Sequence, residues 1–381
     1  GISMMLSKLR TKSTYVKANI KGKRTITKIP FIGDKVVKLV QRGKRGIKQL
    51  VIPKMYFEDI GFTYLGPVDG HNIQELENIL HRSQNIEGPI LIHVITKKGK
   101  GYEIAEENPD KFHGVSSFDI QTGENKSVKI EDYSKKFGDK LVELASKDEK
   151  IVAVTAAMKD GTGLKEFANK FPERFFDVGI AEEHAVGLIA GMAASGLKPV
   201  FAVYSSFLQR GYDQLIHDIA IQNLPVTICI DRAGIVGNDG ETHQGLFDLA
   251  FLSEIPNFII MAPKNYEEFD KMLEFAINLE KPVAIRYPRG GDSNFKFDKC
   301  EEINLGKAEI VKEGKDLSII AIGKMVERAT EVSQLLEKEN INAEIINARF
   351  LKPFDKETML NSIRKTKKAI TIEDRNIKTE D

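Results

Sequence analysis

The chain has 381 residues, 41% of them hydrophobic and 29% charged, with a formal net charge of +1. This length predicts two or three α/β units; no apolar run is long enough to span a membrane, and the start, Gly-Ile-Ser-Met-Met, lacks a signal-peptide layout, so the expected location is the cytoplasm. Two cysteines, Cys229 in an apolar run and Cys300 in a polar connector, exclude a disulfide framework and a clustered thiolate metal site.

Residues 1–54 carry 15 Lys or Arg against a single acid, Asp34, a net +14 that leaves −13 for the remainder. Such an arm suits an anionic partner, yet no nucleic-acid recognition motif accompanies it. The spacing of Ile32, Val36, Val37 and Val40 instead suits an amphipathic helix, starting near Asp34, that packs on its own domain. Neither nucleic acid nor membrane is expected as a partner.

Beyond the arm, the pattern predicts a short helix at 56–60, a strand at 62–65 and a helix at 72–82 capped by Asn72 after a Gly-Pro-Val-Asp-Gly turn. A buried strand at 89–95 follows, ending in Thr96-Lys-Lys-Gly-Lys-Gly-Tyr102. Residues 103–130 are polar and irregular, as in a linker that crosses between domains and closes over a site. Then comes an alternation: helix 133–146, strand 151–155, helix 164–171, strand 175–180, helix 185–195, strand 199–204, helix 207–221, strands 226–231 and 258–262, helix 266–279 and strand 282–287. Repeated βα units predict a parallel sheet with helices on both faces. After Gly290-Gly-Asp-Ser, strands 317–322, 343–347 and 369–372 with helices 325–339 and 356–365 predict a smaller α/β domain. The expected division is 1–115, a linker at 116–130, then 131–292 and 293–381.

The stretch Asp177-Val-Gly-Ile-Ala-Glu-Glu-His-Ala185 places acids where a strand gives way to a helix. Ligands of open parallel sheets sit at the carboxyl ends of strands, so Glu182 is expected to face a crevice. The competing reading is that Glu182 and Glu183 only complement the positive end of the helix dipole. Three more polar clusters end strands: Tyr204-Ser-Ser-Phe-Leu-Gln-Arg210, Asp231-Arg-Ala-Gly-Ile-Val-Gly-Asn-Asp-Gly-Glu-Thr-His-Gln-Gly245 and Arg286-Tyr-Pro-Arg-Gly290. All four are expected at one crevice. Asp231 and Asp239 do not have calcium-loop spacing.

Together with Tyr64-Leu-Gly-Pro-Val-Asp-Gly-His71, Lys97-Lys-Gly-Lys-Gly-Tyr102 and Lys111-Phe-His-Gly114, these segments match a known pattern in order and spacing. Along nearly its whole length the chain resembles the 1-deoxy-D-xylulose-5-phosphate synthase family, thiamine-diphosphate enzymes of the transketolase superfamily. The resemblance implies an α/β thiamine-diphosphate-binding fold with a smaller C-terminal transketolase-like domain, a homodimer, and thiamine diphosphate and Mg2+ as cofactors. It implies condensation of pyruvate with D-glyceraldehyde 3-phosphate to 1-deoxy-D-xylulose 5-phosphate and CO2. That product leads to non-mevalonate isoprenoids, thiamine and pyridoxal.

By the same resemblance, Glu182 bonds N1′ of the cofactor's aminopyrimidine and favours the imino tautomer. Phe207 stacks on the pyrimidine, with Ile180 and Met158 as apolar neighbours, and Lys98 lies near the diphosphate. His113 and His243 are the matching catalytic histidines. Tyr204, Arg210, Arg232, Asp239 and Arg289 form the acceptor pocket, with Arg232 and Arg289 gripping the phosphate through their planar guanidinium groups. Core packing is the competing reading for Ile180 and Met158, and surface solvation for Lys98.

One motif is missing. The superfamily holds its metal with a Gly-Asp-Gly sequence followed by an Asn, and no Gly-Asp-Gly occurs here. The chain thus matches the family from partway through the first domain and stops before the Gly-rich segment expected after Thr371-Ile-Glu-Asp374. Metal ligands are expected outside these residues, and the 381 residues alone are expected to bind magnesium and thiamine diphosphate poorly. Within the superfamily the alternatives are a transketolase or the β subunit of a 2-oxoacid dehydrogenase. Outside it, the alternative is a noncatalytic binding protein that lost the metal half-site.

Overall fold

A computed structural model describes residues 56–109, 112–113, 115, 117–124, 126 and 131–374. The basic arm and its expected amphipathic helix lie outside the described residues. The chain divides into two compact units, Gly1–Val128 and Lys129–Asp381.

In the first unit, helix α1 (Tyr56–Asp59) leads into β1 (Thr63–Asp69), α2 (Ile73–Ser83), β2 (Ile90–Ile95) and α3 (Glu103–Glu107), and β1 pairs with β2 in parallel. Asn72 caps α2 as its turn context predicts, its side chain accepting from Glu75 N at 3.1 Å. The expectation that 89–95 is a buried strand fails: Ile90 to Ile92 are half-buried, and His93, Val94 and Ile95 are exposed. Within this unit β2 has one described partner strand, and α2 contributes a single fully buried side chain, Ile79. The polar stretch after β2 carries one short helical segment, α3, where only irregular chain was expected.

The second unit is built on a seven-stranded sheet. Its strands are β3 (Ile151–Thr155), β4 (Phe175–Asp177), β5 (Lys198–Tyr204), β6 (Thr227–Asp231), β7 (Ile259–Met261), β8 (Val283–Arg286) and β12 (Phe350–Lys352), in the order β12-β7-β8-β6-β5-β3-β4. All neighbours run parallel except β12, which is antiparallel to β7. The period of two along β5 shows how both faces are covered. Val200 and Ala202 pack in the cluster with Phe137 and Leu141 of α4 (Tyr133–Ala145) and Phe269 and Leu273 of α9 (Tyr266–Asn278). Phe201 and Val203 pack in the opposite cluster with Val186 and Ile189 of α6 (Glu182–Ala194) and Leu249 and Leu252 of α8 (Asp248–Glu254). Burial on both faces is why these strands read as continuous apolar runs.

A second sheet has the order β13-β10-β11-β9, from β9 (Glu309–Lys312), β10 (Leu317–Ala321), β11 (Ala343–Asn347) and β13 (Ala369–Ile372), with β9 antiparallel. Helices α10 (Met325–Lys338) and α11 (Lys356–Thr366) pack on it. The last part of the chain also reaches back, since β12 is the edge strand of the larger sheet. A buried polar cluster seals that junction. Glu268 accepts from Lys264 N at 2.7 Å and from Arg349 Nε at 2.7 Å, while Glu309 accepts from Lys264 Nζ at 2.6 Å.

Several features of the second unit depart from expectation. Strand 175–180 stops at Asp177, because the Asp177 carboxylate turns back to accept from Ala157 N at 2.8 Å and Gly179 N at 3.0 Å, and Gly179 takes a φ of +72°. Helix 185–195 consequently begins three residues earlier, at Glu182. The expected helix 207–221 is a broken series from α7 (Ser205–Leu208) to a π-helical turn, Leu215–Ala220. Helix α8 and strands β9 and β12 were not anticipated. Among the described residues, no helix is long and apolar enough to cross a membrane.

Candidate active site

The carboxyl ends of β4, β5, β6 and β8 bring four polar clusters into one chain of contacts. Glu182 is the first residue of α6 and only 1% exposed. Its Oε1 accepts from Arg210 Nη1 at 2.8 Å, whereas its Oε2 is buried with no partner. Arg210 in turn lies 5.1 Å over the ring of Phe207. Both follow β5, whose last residue, Tyr204, stacks on Phe207 with centroids 5.8 Å apart. His243 meets Phe207 edge to face at 5.2 Å and Tyr204 at 6.3 Å. Its Nδ1 lies 3.0 Å from Thr242 Oγ1.

Tyr204 also carries Arg232, whose guanidinium sits 4.2 Å from the ring centroid. Arg232 is held from several directions: Nη1 donates to Gly161 O and to Asp231 Oδ2, each at 2.7 Å, and to Ser134 Oγ at 2.9 Å. Its backbone is left-handed, with a φ of +57°, and its N–H donates to Asp231 Oδ1 at 2.7 Å. A side-chain-bearing residue persists in that region only when its surroundings over-determine it, and the Asp231 carboxylate supplies that constraint. Asp239 joins the two arginines: it pairs with Arg289 Nη1 and lies 3.5 Å from Arg232 Nε.

Burial sets the electrostatics. Desolvation pushes the Asp231 carboxyl up to about 6, against the opposing pull of Arg232 and Ser134. Desolvation likewise raises the Tyr204 phenol. Burial acts to lower the Arg232 guanidinium, but Asp231, Tyr204, Asp239 and Tyr287 together outweigh it and the net shift is upward.

Of the residues singled out from sequence, Glu182, Tyr204, Phe207, Arg210, Arg232, Asp239, His243 and Arg289 are joined by these contacts. Met158 lies in the core cluster beside Val154 and Ala156. Ile180 is 81% exposed. Lys98 and His113 belong to the other unit, where Lys98 Nζ lies 2.6 Å from His113 Nδ1. Arg232 and Arg289 both face Asp239; the hydrogen bonds of Arg232 run through Nη1, and its buried Nε has no hydrogen-bond partner. Sequence reasoning missed the supports. Ser134 stands 97 positions from Asp231, and Gly161 meets Arg232 only through its carbonyl, so neither carries a local signal.

The orphaned Glu182 oxygen tests for a cofactor. A buried carboxylate oxygen without a donor costs about 1–3 kcal/mol, so a ligand that brings a ring N–H to it is favoured. An aminopyrimidine flanked by Phe207 fits that requirement in its imino or ring-protonated form, whose ring nitrogen carries the proton. Among the described residues, no group of three or more His, Cys, Asp or Glu side chains is placed to hold a metal ion.

Comparison with known proteins bears on the family of the chain. Residues 131–291 match the family described as transketolase, pyrimidine binding domain, and residues 306–379 match transketolase, C-terminal domain. Residues 1–96 match the family described as 1-deoxy-D-xylulose-5-phosphate synthase. The chain is 53% identical over 374 residues to the 1-deoxy-D-xylulose-5-phosphate synthase of Clostridium tetani, covering 98% of the chain and 60% of that protein. It is 54% identical over 380 residues to the synthase of Halothermothrix orenii, covering 99% of the chain and again 60% of the relative. The chain therefore spans about 60% of the length of these relatives. Among solved structures, a split-gene transketolase described as an inactive β4 tetramer is 33% identical with a TM-score of 0.58, over 63% of this chain and 79% of that one. A Pichia stipitis transketolase variant shares the fold, with a TM-score of 0.52 at 17% identity over 63% of this chain and 38% of that one. The chain belongs to the transketolase family and, within it, groups with the 1-deoxy-D-xylulose-5-phosphate synthases.

Proposed function

We propose that the chain supplies the pyrimidine-binding side of a site that condenses pyruvate with D-glyceraldehyde 3-phosphate, giving 1-deoxy-D-xylulose 5-phosphate and CO2. The observation that carries this reading is the Glu182 carboxylate, buried, with Oε1 held by Arg210 and Oε2 unmet. Thiamine diphosphate, when bound, supplies the carbon acid that adds to the pyruvate ketone and takes up the electrons released with CO2. Glu182 holds the proton on the aminopyrimidine ring nitrogen, and Phe207 provides the flat apolar contact. His243 and Tyr204 stand together at the end of β5 and exchange protons with the new hydroxyl groups. Arg232 and Arg289 receive the aldehyde's phosphate, Arg289 after release from Asp239. By the family resemblance, Lys98 serves the diphosphate and His113 the reacting carbonyl. Mg2+, a homodimer and a cytoplasmic place of action go with this reading. Their support is the family resemblance, and no step is assigned to the metal.

The reading is tested by titrating the protein with thiamine diphosphate in magnesium buffer, then measuring CO2 from pyruvate with D-glyceraldehyde 3-phosphate. Pyruvate-dependent CO2 release that Glu182→Gln abolishes supports it. Ketol transfer from xylulose 5-phosphate without use of pyruvate, or cofactor binding indifferent to Glu182→Gln, overturns it.

A further inference from the structure

Arg286 at the end of β8 is buried, 4% exposed, between two carboxylates. Its Nε donates to Asp248 Oδ2 at 3.0 Å and its Nη1 to Asp374 Oδ1 at 2.6 Å. Asp248 alone would neutralise the guanidinium. A second carboxylate brought to 14% exposure bears a desolvation cost that calls for another role.

The second oxygen of Asp374 shows that role. It lies against Gly234, where an added Cβ would stand 2.0 Å from Oδ2 and 2.8 Å from Cγ. Gly234 has a φ of +79° and exchanges two backbone hydrogen bonds of 2.8 Å with Gly245, closing the loop that carries Asp239 and His243. The preceding residue, Ala233, donates to Tyr287 O at 3.0 Å, next to Arg286. Asp374 thus touches the chain two residues after Arg232 and, through Arg286, three residues before Arg289. Only glycine lets the carboxylate approach the loop so closely.

We propose that Asp374, which follows β13, is a positioning residue: it braces loop 232–245 and the Arg286–Arg289 turn in register, and so sets the spacing of the arginines that take the aldehyde's phosphate. The phosphate part rests on the function proposed above; the bracing does not.

The test compares Asp374→Ala, Asp374→Asn and Gly234→Ala with the unmodified protein, by amide hydrogen exchange and by calorimetry with D-glyceraldehyde 3-phosphate and with thiamine diphosphate. With the Asp374 brace lost, exchange at 233–245 is expected to rise about tenfold while amides of β5 and β6 keep their rates. Affinity for D-glyceraldehyde 3-phosphate is expected to fall by a similar factor and that for thiamine diphosphate to stay unchanged, so that the aldehyde KM rises more than kcat falls. Gly234→Ala should reproduce the loop exchange with Asp374 intact. Unchanged exchange in the loop, or a rise spread equally through β5 and β6, overturns the proposal. If Asp374→Ala does not fold, the isosteric Asp374→Asn decides it by the same readings. If the unmodified protein binds no D-glyceraldehyde 3-phosphate although loop exchange responds as stated, the bracing stands and the synthase reading falls.

Discussion

Glu182 and Arg210 form a lopsided pair: the carboxylate is 1% exposed, the guanidinium 48%, and one hydrogen bond of 2.8 Å joins them. Solvent screens the Arg210 side of the pair, so its direct contribution to stability is modest. Its larger effect is to occupy one oxygen of Glu182 and leave the other without a hydrogen-bond partner.

In a protein that also carries the family's metal-binding segment, Glu182→Ala is expected to slow hydrogen–deuterium exchange at C2 of bound thiamine diphosphate by about 10²–10⁴-fold, the range for a positioned proton-transfer partner. Thermal unfolding should change little, because the Arg210 left behind reaches water. An exchange rate equal to that of the unmodified protein would remove Glu182 from its assigned role.

Arg210→Ala strips the buried carboxylate of its described hydrogen-bond donor. A loss of about 1–3 kcal/mol is expected for such an orphaned group. In a Glu182→Gln background the same substitution should cost much less, and denaturant unfolding of the four proteins gives the coupling energy. Equal costs in both backgrounds would mean that the pair is incidental.

Gly161 sits where a Cβ would fall 1.8 Å from the Tyr204 hydroxyl oxygen and 3.0 Å from Cζ. Tyr204 is already packed by Phe207 and Arg232. Gly161→Ala is therefore expected to destabilise by about 1–3 kcal/mol, the usual cost of overpacking. Tyr204→Phe, which deletes the clashing oxygen, should recover part of that loss; additive costs in unfolding measurements would contradict the geometry.

The buried Asp231 gives stability a distinctive pH dependence. Its folded-state value of about 6 lies above the roughly 3.9 expected for an unfolded aspartate, so between those limits the folded chain holds the extra proton. The Asp231 contribution is thus most favourable below about pH 4 and is lost as pH rises through 6. Asp231→Asn should flatten the fall in unfolding free energy across that window. An unaltered slope would mean that Asp231 stays ionised throughout.

Strands buried on both faces were legible as sequence because they alternate with helices of period 3.6; the strands expected at 151–155 and 343–347 have those same bounds in the structure. The misjudged elements obey distant constraints. Strand β4 ends early because the Asp177 side chain hydrogen-bonds to Ala157 N, 20 positions away. Strand β12 is three residues long and exists because β7 offers it an edge. The strand-end clusters made the main constellation readable. What sequence could not show was how its charges are spent: Arg232 and Arg289 looked free on paper, and Asp231, Asp239, Ser134 and Gly161 occupy them in the folded chain.

The return of β12 bears on how the protein can be dissected. A cut near residue 292, where composition suggests a boundary, would strip β7 of its outer neighbour and take Glu309 and Arg349 away from Lys264 and Glu268. Such a half would expose unpaired amides beside a cluster of mismatched buried charges, the usual recipe for self-association. A well-behaved truncation of the larger sheet has to run past Lys352, so the two folds share an inheritance of strands rather than a hinge.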